Sequence, residues 1–227
     1  MPPMSRSVEW SSTLEYLTLY PDDYVAGQAN ALIIWLHGFG AHKEDLSALA
    51  PLVARTGCVH VFPDAPLAAE GEPTVRAWYE RGGKESPAAV REALAALDGF
   101  ITDALARFRV PPGRALLAGF SQGGALSLRY GLPRPEVFGG IAVLSGSLKR
   151  VDDLLPDLPV TRNQPVFVAH GQNDALVPFA WSQALVAFLQ AQGYRPVYKT
   201  YWIEHEISPA EIRDLRAWIA EWLGRSS

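Results

Sequence analysis

Short apolar runs recur along the chain, and most are separated by a stretch long enough for a helix. The most apolar of them, residues 31–36, is nearly continuous, which is typical of a strand covered on both faces of a sheet. We predict a further strand at 14–20, at an edge of the sheet. The other predicted strands are 59–62, 115–118, 141–144, 166–169 and 197–202.

Helical spacing fills the stretches between these strands. A serine–proline pair at 86–87 predicts a helix start, because serine caps a first turn and proline fits the first helical position. Apolar residues then recur three or four positions apart as far as Leu105. Residues 208–211, Ser-Pro-Ala-Glu, predict a second start with a capping box. Shorter helices are predicted over 43–55, 122–130 and 178–191.

This alternation of strands and helices predicts an α/β fold with a mostly parallel sheet and helices on both faces. The 227 residues suit one large domain, so we expect a single domain over 1–227. Two segments, 65–84 and 148–164, lack clear periodicity and are predicted as long loops, which are often functional.

Charge and cysteine content narrow the classes of partner. With 20 basic and 24 acidic residues the net charge is −4, which argues against binding to nucleic acid. The single cysteine, Cys58, excludes an internal disulfide or a cysteine-cluster metal site. The first 12 residues lack the apolar segment of a signal peptide, and no apolar run approaches the roughly 20 residues of a membrane span. We therefore expect a cytoplasmic protein with no integral membrane association.

The sharpest chemical signal is Gly-Phe-Ser-Gln-Gly at 119–123, placed between a predicted strand and a predicted helix. A G-x-S-x-G turn in this context is typical of a nucleophile elbow, in which Ser121 projects above the sheet. The flanking glycines let strand and helix approach closely. The alternative interpretation is a glycine-rich turn whose serine only caps the helix.

A serine nucleophile needs a histidine base and an acid that orients it. In elbow enzymes the acid and then the histidine follow the serine along the chain. This order excludes the histidines that precede Ser121, which are His37, His42 and His60.

The choice of base is then between His170 and His205. With His170 as base, the acid would lie between 121 and 170, where no acidic residue directly follows a clear core strand. With His205 as base, Asp174 falls in the loop after the strand at 166–169, where functional residues are common. We therefore predict that Ser121, Asp174 and His205 form a catalytic triad.

The oxyanion of the intermediate also needs backbone donors. The N–H of Gln122 follows the nucleophile, and the glycine-flanked turn at 37–40 offers the N–H of Phe39. We predict these two groups as the oxyanion hole. Four apolar residues are predicted to line a substrate pocket: Leu67, Trp78, Leu176 and Phe179.

Several stretches together resemble a known family. They are LHGFGAHKEDL at 36–46, FPDAP at 62–66, RAWYE at 76–80, GFSQGGA at 119–125, LSG at 144–146 and HGQNDALVP at 170–178, followed by His205. In these motifs the chain resembles the phospholipase/carboxylesterase group of α/β-hydrolases, which includes the acyl-protein thioesterases. The resemblance implies a small α/β-hydrolase fold without a large cap domain, and the same triad and oxyanion residues. Phe39 stands where many members have leucine or arginine.

The resemblance also implies a serine hydrolase that needs no metal and no cofactor. Its substrates would be carboxylic esters, lysophospholipids or acyl thioesters. We predict a serine carboxylesterase that acts on a small-molecule ester, as a monomer or weak homodimer. Three alternatives remain open: a lysophospholipase or acyl-protein thioesterase, an acyltransferase with the same triad, and a non-catalytic scaffold that binds a ligand.

Overall fold

Most of the strands join one large sheet. The computed structural model of the protein describes residues 4–26, 31–69, 72–80 and 86–224. Its strands are β1 (Arg6–Trp10), β2 (Glu15–Leu19), β3 (Leu32–Leu36), β4 (Val59–Pro63), β5 (Leu67–Ala69), β6 (Glu72–Ala77), β7 (Ala115–Phe120), β8 (Phe138–Leu144), β9 (Val166–Gly171) and β10 (Val197–Tyr201). The sheet has the order β1-β2-β4-β3-β7-β8-β9-β10, and its strands are parallel from β4 onwards. The prediction of a mostly parallel sheet is therefore confirmed.

Helices cover both faces of this sheet. They are α1 (Ala50–Val53), α2 (Pro87–Phe108), α3 (Gln122–Gly131), α4 (Phe179–Ala191) and α5 (Pro209–Gly224). The apolar residues of α2, α3 and α4 pack on one face, and those of α1 and α5 pack on the other. Along β3, Ile34 faces the α2 side and Trp35 the α5 side, which explains why this strand is apolar throughout. None of the helices in the described ranges is long and apolar enough to cross a membrane.

The edge of the sheet differs from the prediction. The strand predicted at 14–20 forms as β2, but it does not lie at the edge, because β1 pairs antiparallel with it on the outside. The residues of β1 are exposed or half-buried, and Val8 and Trp10 face solvent. A strand with so little burial has no apolar run to reveal it in the sequence.

The helix predicted over 43–55 is largely wrong. The structure has turns, a 3-10 turn at Ser47–Leu49 and only the four residues of α1. Pro51 has no N–H to donate to the carbonyl of Ser47, so a continuous α-helix cannot pass this point without losing a hydrogen bond. The start of the segment is also held away from a helix, because the backbone N–H of Lys43 donates to Asp64 Oδ1 at 2.6 Å.

The two predicted loops contain regular structure. In the first, β5 and β6 form an antiparallel hairpin. Residues 70–71 and 81–84 of this predicted loop lie outside the described part of the chain. In the second, a 3-10 helix spans Val151–Asp157 and buries Leu154 against α4. Both elements are short, which explains why periodicity did not reveal them.

The starts of the long helices are confirmed in part. Ser86 Oγ accepts the N–H of Ala89 at 3.1 Å, as an N-cap serine should. At α5, Ser208 Oγ accepts the N–H of Glu211 at 3.2 Å, which is one half of the predicted capping box. The other half is incomplete: neither carboxyl oxygen of Glu211 makes a hydrogen bond of good geometry among the described residues, although the backbone N–H of Ser208 lies near enough to affect its pKa. Burial raises the pKa of Glu211 to about 8 and outweighs the Ser208 backbone N–H, which lowers it.

Replacing Glu211 by glutamine is expected to stabilise the protein at pH 8 far more than at pH 5. The folded protein keeps the carboxyl proton up to about pH 8, whereas the unfolded chain loses it near 4.5. The wild type therefore loses stability as the pH rises through this window, by on the order of 3 kcal/mol. Urea unfolding of both proteins at the two pH values measures the difference. The same change at the exposed Glu136 is the control, and an equal effect at both pH values for Glu211→Gln would contradict the expectation.

Candidate active site

Ser121 lies at the carboxyl edge of the sheet, between the last residue of β7 and the first of α3. Its φ of 54° is left-handed, a conformation that costs a non-glycine residue about 1–3 kcal/mol. A Cβ on Gly119 would overlap the carbonyl of Gly123, and one on Gly123 would overlap the carbonyl of Leu36. At both flanking positions the neighbouring backbones pack too closely for any residue except glycine. This packing holds the strained serine in the turn, as the G-x-S-x-G pattern predicts.

The structure brings Ser121, His205 and Asp174 together. His205 Nε2 lies 2.8 Å from Ser121 Oγ, and His205 Nδ1 lies 2.7 Å from Asp174 Oδ2. The nitrogen beside a carboxylate carries the ring proton, so Nε2 presents its lone pair to the serine hydroxyl. The ring of Phe120 packs against the imidazole, with 4.8 Å between centroids.

The carboxylate of Asp174 is fixed by the backbone of its own loop. Oδ1 accepts the N–H groups of Leu176 and Val177 at 2.9 and 2.8 Å, which leaves Oδ2 for His205. The side chain is fully buried. A buried carboxylate with these partners is held in one orientation, as an acid that must orient an imidazole requires.

Two backbone hydrogen bonds join the acid loop to the histidine loop. The N–H of Gln172 donates to the carbonyl of Tyr201 at 2.8 Å, and the N–H of Asn173 donates to that of Ile203 at 3.0 Å. Since β9 and β10 are parallel neighbours, their following loops start side by side. The strand pairing therefore sets the distance between Asp174 and His205.

A second histidine, His170, also contacts the acid. Its Nε2 lies 2.8 Å from the carbonyl of Val177, to which it donates, and 3.4 Å from Asp174 Oδ2. Burial lowers the pKa of His170, against the opposing effects of these two neighbours. Ser121 Oγ is hydrogen-bonded to His205, whereas His170 is hydrogen-bonded to the backbone carbonyl of Val177. The geometry agrees with the choice of His205 as the candidate base.

The two predicted oxyanion donors lie in segments next to Ser121: Gln122 begins α3, and Phe39 is in the loop after β3. Gln122 is the first residue of α3, where backbone N–H groups have no acceptor within the helix and carry partial positive charge. The Phe39 loop contacts the candidate nucleophile, because a Cβ on Gly38 would lie 3.3 Å from Ser121 Cβ. The N–H of Gly40 donates to the carbonyl of Arg76 at 2.8 Å and joins this loop to β6.

An ion network that the sequence did not reveal holds the far end of the same loop. Lys43 Nζ lies 2.6 Å from Asp64 Oδ2 and 2.9 Å from Glu15 Oε2, in a half-buried position. Burial lowers the pKa of Lys43, but the two carboxylates outweigh it and raise the pKa above its ordinary value. Lys43 and Asp64 follow β3 and β4, so only the strand order could have shown that they meet.

Comparison with known proteins identifies the family that the sequence motifs resemble. Residues 25–223 match the phospholipase/carboxylesterase family. The chain belongs to this family. The carboxylesterase SOBER1 of Arabidopsis thaliana is 28% identical over 88% of the chain and 93% of that protein. Acyl-protein thioesterase 1 of Mycosarcoma maydis is 30% identical over 92% of the chain and 97% of that protein.

A solved structure of the esterase PE8 has the same fold. It covers 90% of the chain and 96% of its own length, with a TM-score of 0.80 and 27% identity. The chain is accordingly a serine ester hydrolase with an α/β-hydrolase fold. In the described residues no large cap domain interrupts this fold, since only the β5–β6 hairpin, the 3-10 turn at Ser47–Leu49 and the 3-10 helix at Val151–Asp157 are added to the sheet and its helices.

The four predicted pocket residues differ in how far their side chains are exposed. Leu67 and Leu176 are exposed, at 40% and 65%, and Phe179 is half-buried with its ring against His170. Trp78 is 1% exposed and its indole N–H donates to the carbonyl of His37 at 3.0 Å. Its prediction as a pocket residue is therefore wrong, because the ring is packed inside the protein.

Two of the histidines that chain order excluded, His60 and His42, make other contacts. His60 is buried on the α5 side of the sheet, where Nδ1 accepts the indole N–H of Trp35 at 3.0 Å and burial lowers the pKa to about 4. His42 lies near the surface beside Asp45. Among the residues that the structure describes, no cluster of histidine, cysteine and acidic side chains could hold a metal ion.

Proposed function

We propose that this family member hydrolyses carboxylic esters through an acyl-enzyme on Ser121. The observation that carries the proposal is the hydrogen-bond chain from Ser121 Oγ through His205 to Asp174 Oδ2, with lengths of 2.8 and 2.7 Å. A hydroxyl, an imidazole and a buried carboxylate in this order are the parts that acyl transfer needs.

In the first half of the reaction, His205 Nε2 takes the proton of Ser121 as Oγ attacks the acyl carbon. Asp174 holds the imidazole in the required tautomer and stabilises its positive charge. The N–H groups of Phe39 and Gln122 stabilise the oxyanion, and each such donor contributes about 3–4 kcal/mol in the transition state. His205 then gives the proton to the alcohol as the acyl–oxygen bond breaks.

In the second half, water takes the place of the alcohol. His205 removes a proton from the water, which attacks the acyl-enzyme and forms a second oxyanion in the same hole. Its collapse releases the carboxylic acid and returns the proton to Ser121 Oγ.

We propose a small ester with a short acyl chain as the substrate. Support comes from the predicted pocket residues, of which Trp78 is buried, whereas Leu67 and Leu176 are exposed. Two exposed leucines offer only a limited apolar area, which suits a short acyl chain better than a long one, because the stabilisation grows with the apolar area buried. The second candidate is an acyl-protein thioesterase or lysophospholipase, and the likeness to the thioesterase of Mycosarcoma maydis favours the thioesterase.

A series of aryl esters with increasing acyl length is expected to give its highest kcat/KM at short chains. The measurement is release of the aryl alcohol, with a lysophospholipid and an acyl thioester assayed beside it. Activity that rises to long chains, or that is higher on the thioester, would favour the second candidate.

Labelling with a fluorophosphonate tests whether the site is catalytic at all. Such a probe forms a covalent bond with an activated serine, so we expect one equivalent of label on Ser121. An unlabelled protein that binds esters without turnover would instead be a binding scaffold. Product analysis with an alcohol present distinguishes hydrolysis from acyl transfer.

A further inference from the structure

Two aromatic side chains beside the site have no part in the proposed proton transfers. His37 and Trp78 are each 1% exposed, and their ring centroids lie 5.6 Å apart. Chain order excludes His37 as the base, and burial excludes Trp78 from a pocket. Both side chains nevertheless make hydrogen bonds to the backbone that leads into Phe39.

The hydrogen bonds of His37 define its tautomer. The backbone N–H of Ala65 donates to Nε2 at 3.0 Å, so this nitrogen carries no proton. The ring proton is therefore on Nδ1, which donates to the carbonyl of Gly38 at 2.7 Å. Burial lowers the pKa of His37, which keeps the ring neutral and this arrangement intact.

The carbonyl of Gly38 and the N–H of Phe39 belong to the same peptide group. In a planar trans peptide these two bonds point in opposite directions. A hydrogen bond that holds the carbonyl towards His37 therefore turns the N–H of Phe39 the other way. The preceding peptide is held as well, because the Trp78 indole donates to the carbonyl of His37 at 3.0 Å.

The side chain of Gln122 fixes Trp78 in turn. Its Oε1 accepts the backbone N–H of Trp78 at 3.0 Å, and its Nε2 donates to the carbonyl of Tyr79 at 2.7 Å. The residue that supplies one oxyanion donor thus also holds the backbone at Trp78, whose side chain braces the loop of the other donor. The two halves of the oxyanion hole are held as one unit.

We propose that His37, in its Nδ1–H tautomer, is a positioning residue that holds the Gly38–Phe39 peptide in the orientation the oxyanion hole requires, with Trp78 holding the peptide before it. This inference rests on the proposed function. Gly38 has no Cβ to restrict its backbone, so its flanking peptides need an external brace. Loss of one oxyanion donor lowers kcat by about 10²- to 10³-fold, which makes the orientation of this single peptide important.

Two substitutions at position 37 separate the two hydrogen bonds of the ring. In His37→Asn, the amide nitrogen lies two bonds from Cβ, as Nδ1 does, and can still donate to Gly38. In His37→Gln, the amide lies three bonds from Cβ, as Nε2 does, and can accept from Ala65 but not donate to Gly38. We expect kcat to fall roughly 10- to 100-fold in His37→Gln, with KM little changed, and to fall much less in His37→Asn. A kcat in His37→Gln equal to or above that of His37→Asn would overturn the inference.

Trp78→Phe provides the test should the position-37 variants fail to fold. It removes the indole donor and keeps an aromatic ring. Trp35→Phe is the matched control, because Trp35 is equally buried and its indole also donates to a buried histidine, on the opposite face of the sheet. We expect kcat at least about tenfold lower in Trp78→Phe than in the control. Equal kcat values would count against the brace.

The variant Ser121→Ala keeps this test separate from the proposed function. If Ser121→Ala retains turnover, the proposed function fails, whatever the position-37 variants do. If Ser121→Ala is inactive and the wild type is labelled on Ser121, but the His37→Gln and His37→Asn enzymes turn over equally fast, only the positioning role fails.

Discussion

Replacing Ser121 by alanine is expected to lower kcat/KM on a short-chain aryl ester by about 10⁴-fold or more. The variant lacks the oxygen that would form the proposed acyl-enzyme, so only binding and the proposed oxyanion donors would remain to assist a direct attack by water. Alanine keeps Cβ and the backbone of the elbow, so circular dichroism and the melting temperature should match those of the wild type.

Ser127→Ala is the matched control for this substitution. Ser127 is buried on α3, the helix that follows Ser121, and its Oγ donates to the carbonyl of Gly123 at 2.9 Å. We expect its activity to stay within a few-fold of the wild type. Full activity in Ser121→Ala, or an equal loss in both variants, would remove the basis for assigning Ser121 as the nucleophile.

The parts of the fold that the sequence predicts are those whose burial is large and regular. Residues 31–36 lie between two helical layers and are apolar at every position, and α2 repeats one apolar stripe along its 22 residues. β1 is held by pairing with β2 while Trp10 faces solvent, so its composition does not distinguish it from a loop. The helix predicted over 43–55 fails because Pro51 and the contact of Lys43 with Asp64 override local preference.

In the candidate site, too, some residues can be predicted from the sequence and others cannot. One turn motif and the order of acid and histidine predict that Ser121, Asp174 and His205 meet, because that order follows from the strand sequence of the fold. The side chains that hold the neighbouring loop in place cannot be predicted from motifs or chain order. Lys43 meets Asp64, and His37 meets Ala65, only because β4 lies beside β3, and no spacing in the sequence states which strands are neighbours.

Replacing Asp174 by asparagine is expected to lower kcat by about 10⁴-fold without unfolding the protein. The new amide oxygen can still accept the N–H groups of Leu176 and Val177, so the loop keeps its shape. The amide nitrogen then faces His205 Nδ1 as a donor. The imidazole proton must move to Nε2, which presents N–H instead of a lone pair to Ser121. Steady-state kinetics should show the loss in kcat, with KM little changed.

His170→Gln is the control that separates this tautomer effect from any disturbance beside the acid. His170 Nε2 lies 3.4 Å from the same carboxylate oxygen, and its hydrogen bond goes to the carbonyl of Val177, to which a glutamine amide can also donate. We expect kcat within about tenfold of the wild type, because the proton on His205 Nδ1 is unaffected. A loss as large as that of Asp174→Asn would mean that both histidines act on the reaction through Asp174. Near-normal kcat in Asp174→Asn would instead move the acid to another residue.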